Sequence, residues 1–311
     1  MKIITLTLSP AFDMHCHADS LRLDHENLIH LDLCQAGGKG VNISRALAKN
    51  GTENLALLVL GEENAHSFEK NLAADGISWE AITVPGRIRE NITIHVTNAP
   101  ETRLSFPGFP VTEDLLSQVA EKLLALADAN TVITMTGRVP EGMAVEDVME
   151  VLKTAANRGA RIVVDSRSFT LDQLKQLKPW LIKPNQEEIS AYLGREIKSL
   201  SESLREAKAL QEAGIENVMI SLGGDGALLV CPQGAFTAVP PAVEVRSTVG
   251  AGDSTIAGFI SCPDPDPIKR LTQAVAYGTA ACMTEGTLPP NPEAIAAILL
   301  KVQCRVLRAE C

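Results

Sequence analysis

Short apolar runs alternate along the chain with longer stretches whose apolar residues recur at helical spacing. The runs are KIITLTL, NLALLVL, TVITM, RIVVDS, WLIKPN and NVMISLG. The helical spacing falls on residues 40–50 (GVNISRALAKN), 64–75, 112–128, 141–158, 202–213 and 253–262. Strands alternating with helices predict βαβ units and a mostly parallel sheet. Crossovers in such a sheet are right-handed and ligands gather at the carboxyl ends of its strands. Only 4% of residues are aromatic, so the core must come from Leu, Ile, Val and Ala, which suits a sheet covered on both faces.

Two stretches break the rhythm. Residues 11–35 and 86–110 lack helical periodicity, and the second reads as two extended pieces, RENITIHVT and ETRLSFPG, with a turn at Asn98-Ala99-Pro100. They predict a small second sheet over the site; two long surface loops are the plainer alternative. Cys262-Pro263-Asp264-Pro265-Asp266-Pro267 predicts a rigid loop.

Charge narrows the function. A net charge of -10 argues against nucleic-acid binding, which needs basic patches to displace counterions. It also means that a site for a phosphorylated ligand must concentrate its cations locally. Met1 runs straight into KIITLTLSP without a charged leader and long apolar segment, and no apolar run reaches about 18 residues; a cytoplasmic protein without a membrane span is expected. The seven cysteines contain no CxxC pair and read as reduced, mostly buried small hydrophobes. His15, Cys16, His17, His25, His30 and Cys34 crowd together, but HENLIH is HExxxH rather than HExxH, so zinc is disfavoured.

The strongest chemical signal is Ser247-Thr248-Val249-Gly250-Ala251-Gly252-Asp253 before an apolar helix. Gly250 and Gly252 let the backbone approach a ligand, and free amides at the helix start attract anions. Asp253 would repel a phosphate, yet it suits a base that takes the proton of an alcohol attacking phosphorus held by those amides. A simple helix N-cap is the alternative. Ala36-Gly37-Gly38-Lys39-Gly40-Val41-Asn42 is a glycine-rich strand-to-helix turn, not a P-loop, in which Lys39 and Asn42 supply donors for a polyol. Alternation in Arg87-Ile88-Arg89-Glu90-Asn91 sends Arg87, Arg89 and Asn91 to one face, suited to gripping phosphate. Arg138 lies in the turn Thr136–Gly142 after a strand.

Two further turns suit a nucleotide. In Lys183-Pro184-Asn185-Gln186-Glu187-Glu188, Asn185 and Glu188 either hold Mg²⁺ through water or form a capping box. In Ser221-Leu222-Gly223-Gly224-Asp225-Gly226, the glycines suit a phosphate chain crossing the backbone, or form a hairpin turn.

Taken in order, LSPAFD, GGKGVNISRAL, GRIREN, TGRVPEG, IKPNQEE, ISLGGDGA and STVGAGDSTIAGF resemble the motifs of the PfkB (ribokinase-like) carbohydrate kinases over nearly the whole chain. FPGFPVT, VVDSRS before PWLIKPN, and RSTVGAGDS are similar to the bacterial 1-phosphofructokinases, with tagatose-6-phosphate kinases and minor 6-phosphofructokinases close by. The resemblance implies an α/β fold: one kinase domain, residues 1–311, with a Rossmann-like three-layer α/β/α core and a small β-sheet lid from 11–35 and 86–110. It implies ATP and Mg²⁺, and transfer to a sugar phosphate, most like fructose 1-phosphate to fructose 1,6-bisphosphate; tagatose 6-phosphate and fructose 6-phosphate are alternatives. It implies Asp253 as base and Gly250, Ala251 and Gly252 as anion hole. Asp13, Gly38, Lys39 and Asn42 would bind the sugar, Arg89 its existing phosphate, with Arg138 as a further cation. Lys183, Asn185, Ser221, Gly223, Gly226 and Gly252 would bind ATP, and Glu188 Mg²⁺ through water. A homodimer through the lid is implied too. A non-catalytic sugar-phosphate or nucleotide sensor on the same fold is the rival from another class. Ser9 stands where the family often has Asn, Arg138 where a Ser is usual, and the short Pro-rich 262–267 segment predicts a truncated helix on the adenine side.

Overall fold

A computed structural model describes residues 1–97 and 100–307. The strands and helices follow in chain order as β1 (Lys2–Thr7), β2 (Ala11–Ala18), β3 (His30–Gly37), α1 (Lys39–Lys49), β4 (Leu55–Gly61), α2 (Ala65–Ala74), β5 (Trp79–Val84), β6 (Arg89–Val96), β7 (Thr102–Ser105), α3 (Leu115–Leu126), β8 (Thr131–Thr136), α4 (Val145–Asn157) and β9 (Arg161–Asp165). The second half continues with α5 (Leu171–Leu177), β10 (Leu181–Ile182), α6 (Gln186–Leu193), α7 (Leu200–Glu212), β11 (Asn217–Ser221), β12 (Ala227–Cys231), β13 (Gly234–Val239), α8 (Ala251–Ser261), α9 (Pro267–Cys282), α10 (Pro292–Leu299) and β14 (Gln303–Leu307).

Ten strands form the main sheet in the order β14-β13-β12-β11-β10-β9-β8-β1-β4-β5. Pairing from β5 to β11 is parallel throughout, and β12 to β14 extend it antiparallel. Strand alternation divides the core in two. Ile4, Leu6, Ile133, Met135, Ile162 and Val164 pack with Leu115, Val119, Leu152 and Leu210 on one face. Ile3, Val132, Val163 and Leu181 pack with Ile43, Leu47, Ile256, Phe259 and Leu271 on the other. These are the three α/β/α layers that the resemblance implies, and the inner parallel strands are buried on both faces because each face meets helices.

The expected second sheet is present, in the order β3-β2-β6-β7. Its central pair, β2 and β6, is parallel and aligns Ala11 with Arg89 and Asp13 with Asn91. Of the turn expected at Asn98-Ala99-Pro100, Asn98 and Ala99 lie outside the described residues.

Two expectations change. The Pro-rich segment does not truncate the helix that follows it. α9 runs 16 residues; Pro267 occupies its first turn, where no N–H is needed, and Asp266 caps it through the Ile268 amide at 2.9 Å. Arg87 does not share the face of Arg89 and Asn91. It precedes β6 in an isolated bridge with Glu62, and its exposed side chain pairs with Glu90 at 2.6 Å.

Among the histidines, His17 stacks on His30 and its Nδ1 lies 2.6 Å from Asp32. No group of three or more metal-type side chains occurs among the described residues, and no described helix is long and apolar enough to cross a membrane.

Candidate active site

A cleft of about 980 Å³ opens where the parallel strands end and the small sheet approaches them. All sixteen residues that the resemblance assigns to the site line it, from Asp13 on the small sheet to Asp253 on the core, whereas Arg87 does not.

Asp253 is the third residue of α8, not its N-cap. Gly250 occupies the cap with φ 77°, a left-handed conformation that glycine adopts without strain. The amides of Gly252 and Asp253 therefore fall in the first helical turn, where no intrahelical carbonyl is available to them. The Asp253 carboxylate is buried and accepts a hydrogen bond from Asn42 Nδ2 at 2.9 Å. Burial pushes its pKa up to about 6, against the opposing pull of Lys39. A carboxylate tuned this way is ionised at neutral pH and still basic enough to accept a proton.

Lys39 begins α1, directly after Gly38 with φ 113°. Its Nζ donates to Asp165 at 2.9 Å. Burial alone would lower the Lys39 pKa; Asp165 and Asp253 hold it above its usual value. Asp165 ends β9 and is buried, with Lys183 Nζ 3.9 Å away. Burial would raise the Asp165 pKa, but the two lysines outweigh it and keep the carboxyl ionised. Lys183 also lies beneath the helix start: a Cβ on Gly252 would come 3.1 Å from its Nζ. Two cations thus converge below the α8 amides around one buried anion.

Asp13 accepts from Asn91 Nδ2 at 2.9 Å. Burial raises its pKa, opposed by Asn91 and Arg89. Gly37 is required beside it, since a Cβ there would sit 2.1 Å from Asp13 Oδ2. Arg89 is half-buried, and its Nε is buried without an acceptor among the described residues. Burial and then the neighbouring Arg138 lower the Arg89 pKa, so the two guanidiniums are close enough to repel. Arg138 is exposed and lines the cleft.

On the other side, Asn185 and Glu188 form the capping box of α6. Glu188 Oε2 accepts from the Asn185 amide at 3.0 Å, and Oε1 accepts from Arg167 at 3.0 Å. The Ser221–Gly226 turn joins β11 to antiparallel β12, so it is a hairpin turn that also lines the cleft. An isolated bridge between Asn185 and Ser221 ties these two turns together.

Asp165 was not among the expected site residues. VVDSRS carries a signal for it, an acid ending an apolar strand, but its two lysine partners are distant in sequence. Asn91 was placed by alternation on the face of Arg89, and only the register with β2 shows that it holds Asp13.

The 1-phosphofructokinase of Rhodobacter capsulatus is 33% identical over 312 residues, covering 99% of this chain and 98% of that protein. The 1-phosphofructokinase of Haemophilus influenzae is 32% identical over 279 residues, covering 89% and 88%. Phosphofructokinase-2 from Escherichia coli, solved in complex with substrates and products, superposes with a TM-score of 0.90 at 27% identity, covering 97% of this chain and 99% of that one. Residues 22–294 match the family described as pfkB family carbohydrate kinase, and the chain belongs to that family, as a phosphotransferase acting on a hydroxyl group.

Proposed function

We propose that the protein transfers the γ-phosphoryl group of ATP to fructose 1-phosphate, giving fructose 1,6-bisphosphate. The observation that carries this reading is Arg89, half-buried with an unpartnered Nε in the cleft that holds Asp253. A half-buried guanidinium whose Nε has no acceptor among the described residues, and which otherwise donates only to Asn91 Oδ1 at 3.3 Å, is incompletely satisfied until a ligand anion completes it, and a phosphate offers the oxygens it needs. The kinship with enzymes named 1-phosphofructokinase supports the same sugar.

In this mechanism Asp13 accepts hydrogen bonds from sugar hydroxyls, and Arg89 with Arg138 holds the phosphate already present. Asp253 takes the proton of the acceptor hydroxyl. The oxygen of that hydroxyl then bonds to the γ-phosphorus as the bond to the β-phosphate oxygen breaks and ADP leaves. The amides of Gly250 to Asp253, with Lys39 and Lys183, face the charge that develops on the transferring group. Lys39 differs from a simple sugar ligand: tied to Asp165 and drawn toward Asp253, it serves the reacting centre rather than the distant phosphate. Lys183, Asn185, Ser221, Gly223 and Gly226 hold the nucleotide. Mg²⁺, when bound, neutralises charge on the phosphates. Glu188 suits it at one remove: both its oxygens already accept hydrogen bonds, and their remaining lone pairs fit a water of the ion's hydration shell. The small sheet acts as a lid that excludes water as a competing acceptor.

Kinetics with fructose 1-phosphate, fructose 6-phosphate, tagatose 6-phosphate and free fructose test the substrate. The first should give the highest kcat/KM; a higher value for free fructose would remove the phosphate role of Arg89, and no turnover of any would favour a non-catalytic sensor. The reading also places the protein in the cytoplasm, where both substrates are found.

The lid has two open edges, β3 and β7, and exposes Leu28, Leu31, Leu104 and Phe106. Such edges are aggregation-prone unless covered, so a homodimer joined through the lids is expected. Light scattering at micromolar concentration should give twice the chain mass; a monomer mass would refute it.

A further inference from the structure

We infer that Arg45, held by Asp75, is a positioning residue that sets the orientation of the Asn42 amide and through it the protonation of Asp253. This inference rests on Asp253 being the base. Arg45 sits on α1, one turn after Asn42, and its side chain is 2% exposed. Each of its three nitrogens donates one hydrogen bond. Nε donates to Asp75 Oδ2 at 2.7 Å, at the end of α2. One terminal nitrogen donates to the Ala36 carbonyl at the end of β3, and the other to Asn42 Oδ1 at 3.0 Å. Asn42 Nδ2 then donates to Asp253 Oδ2 at 2.9 Å.

The chemistry of the two ends fixes the middle. An asparagine amide can turn over, exchanging its carbonyl for its NH₂ at little steric cost. A guanidinium has donors only, so the Asn42 atom facing Arg45 must be the carbonyl oxygen. The NH₂ must then face Asp253, where it stabilises the ionised carboxylate. With Arg45 removed, the amide is free to turn its carbonyl toward Asp253. That arrangement favours the protonated acid, which donates to the carbonyl and cannot act as a base. Burial already raises the Asp253 pKa, and the Asn42 hydrogen bond opposes that rise, so losing this donor moves the acid limb of the rate profile upward.

Other groups face the same carboxyl. Lys39 and Lys183 from α1 and the loop before α6 hold Asp253 down, and Asp165 from β9 pushes it up. None of these touches Arg45 in the hydrogen-bond network described above, so a change at Arg45 leaves their contacts in place. Asp75 lies at the end of α2, outside the cleft lining. Its role is to keep the guanidinium plane aimed at Asn42. Arg45 is also near enough to Asp13 to lower its pKa, although burial is the dominant influence there.

The test compares the pH dependence of kcat in the wild type, Arg45→Lys, Asp75→Asn, Asn42→Ala and Arg45→Lys/Asn42→Ala. Arg45→Lys keeps the charge but cannot donate along all three directions. It should raise the acid limb by about one pH unit and lower kcat near pH 6.5 about 3-fold, with ATP KM within about 2-fold. In the Asn42→Ala background, Arg45→Lys should change neither limb nor kcat, because the path is already cut. Asp75→Asn should shift the limb the same way by a smaller amount, and it carries the test alone if Arg45→Lys does not fold. A folded Arg45→Lys or Asp75→Asn protein in which both the kcat limb and the infrared titration of Asp253 stay unshifted, or additive effects in the double variant, would overturn the inference. Infrared titration of the Asp253 carboxyl, assigned by its loss in Asp253→Asn, reports protonation without turnover. A carboxyl pKa that rises in Arg45→Lys while the kcat limb stays put would leave the positioning role standing and remove Asp253 as the base.

Discussion

Asp253→Asn is expected to lower kcat by about 10³-fold while leaving the KM values for both substrates within a few-fold, since general-base catalysis contributes roughly 10²–10⁴-fold. The amide is nearly isosteric, can accept the Asn42 hydrogen bond through its own oxygen, and cannot take a proton. The same substitution should stabilise the protein at alkaline pH, and the sign follows from the raised pKa. In the folded chain Asp253 titrates at about 6, above its value in the unfolded chain. The folded state therefore holds the proton more tightly, and the stability this provides is full below the unfolded pKa and is lost as pH rises through 6. At pH 8 the wild type carries the whole penalty of a buried charge, and asparagine carries none. The expected gain is roughly 2–3 kcal/mol at pH 8, shrinking to about zero below pH 4. Thermal melts at pH 8 and pH 4 check this against kcat from the same preparations. Near-normal turnover would remove Asp253 from the base role, and equal melting shifts at both pH values would show that its carboxyl is not strained by burial.

A site that loses stability to gain a base also explains how much of it was legible in the sequence. STVGAGD stands out because helix-start amides, positive-φ glycine and an acid serve one chemistry within seven residues. The βαβ rhythm was equally legible where the parallel strands are short apolar runs; the edge strand β5, which carries Glu80 and Thr83 and is only partly buried, does not read as one. What escaped notice depends on long-range partners. β12 is an apolar run buried along its whole length, but it returns antiparallel to β11 across a hairpin turn instead of following a helix, so the βαβ rhythm does not mark it. α9 is rich in Ala, Thr and Gly where it packs closely on α8, and that small-residue surface carries little helical periodicity; a Cβ on Gly258 would meet Tyr277 at 2.9 Å. Arg87 misled because alternation was extended past the first residue of β6. Asp165 and Arg45 look in sequence like a strand-end acid and a surface helix arginine, and only the fold brings them beneath the cleft.

Arg89→Ala should have the largest effect on substrate selection. Burial and Arg138 both disfavour the Arg89 charge, Asp13 only partly offsets them, and Nε has no acceptor among the described residues. The free protein therefore holds a cation whose solvation is incomplete, and a phosphate dianion completes it. Removing one partner of such a buried charge contact costs about 3–5 kcal/mol. Part of that loss is already present in the unliganded protein, so KM for fructose 1-phosphate should rise by roughly 100-fold rather than by the full amount. ATP KM should stay within about 2-fold, because the nucleotide turns lie across the cleft. Turnover of free fructose, which has no phosphate to hold, should be nearly unchanged, so the preference for the phosphorylated sugar should collapse by about the same 100-fold. Arg138→Ser should act in the same direction but by about 10-fold or less, since an exposed cation contributes less than a buried one. A direct binding readout separates contact from catalysis: fructose 1-phosphate should raise the melting temperature of the wild type and fail to do so for Arg89→Ala at the same concentration. If Arg89→Ala leaves KM and the ligand-induced melting shift intact, the phosphate does not sit on Arg89, and the cation for it must be sought at Lys39 or Arg138 instead.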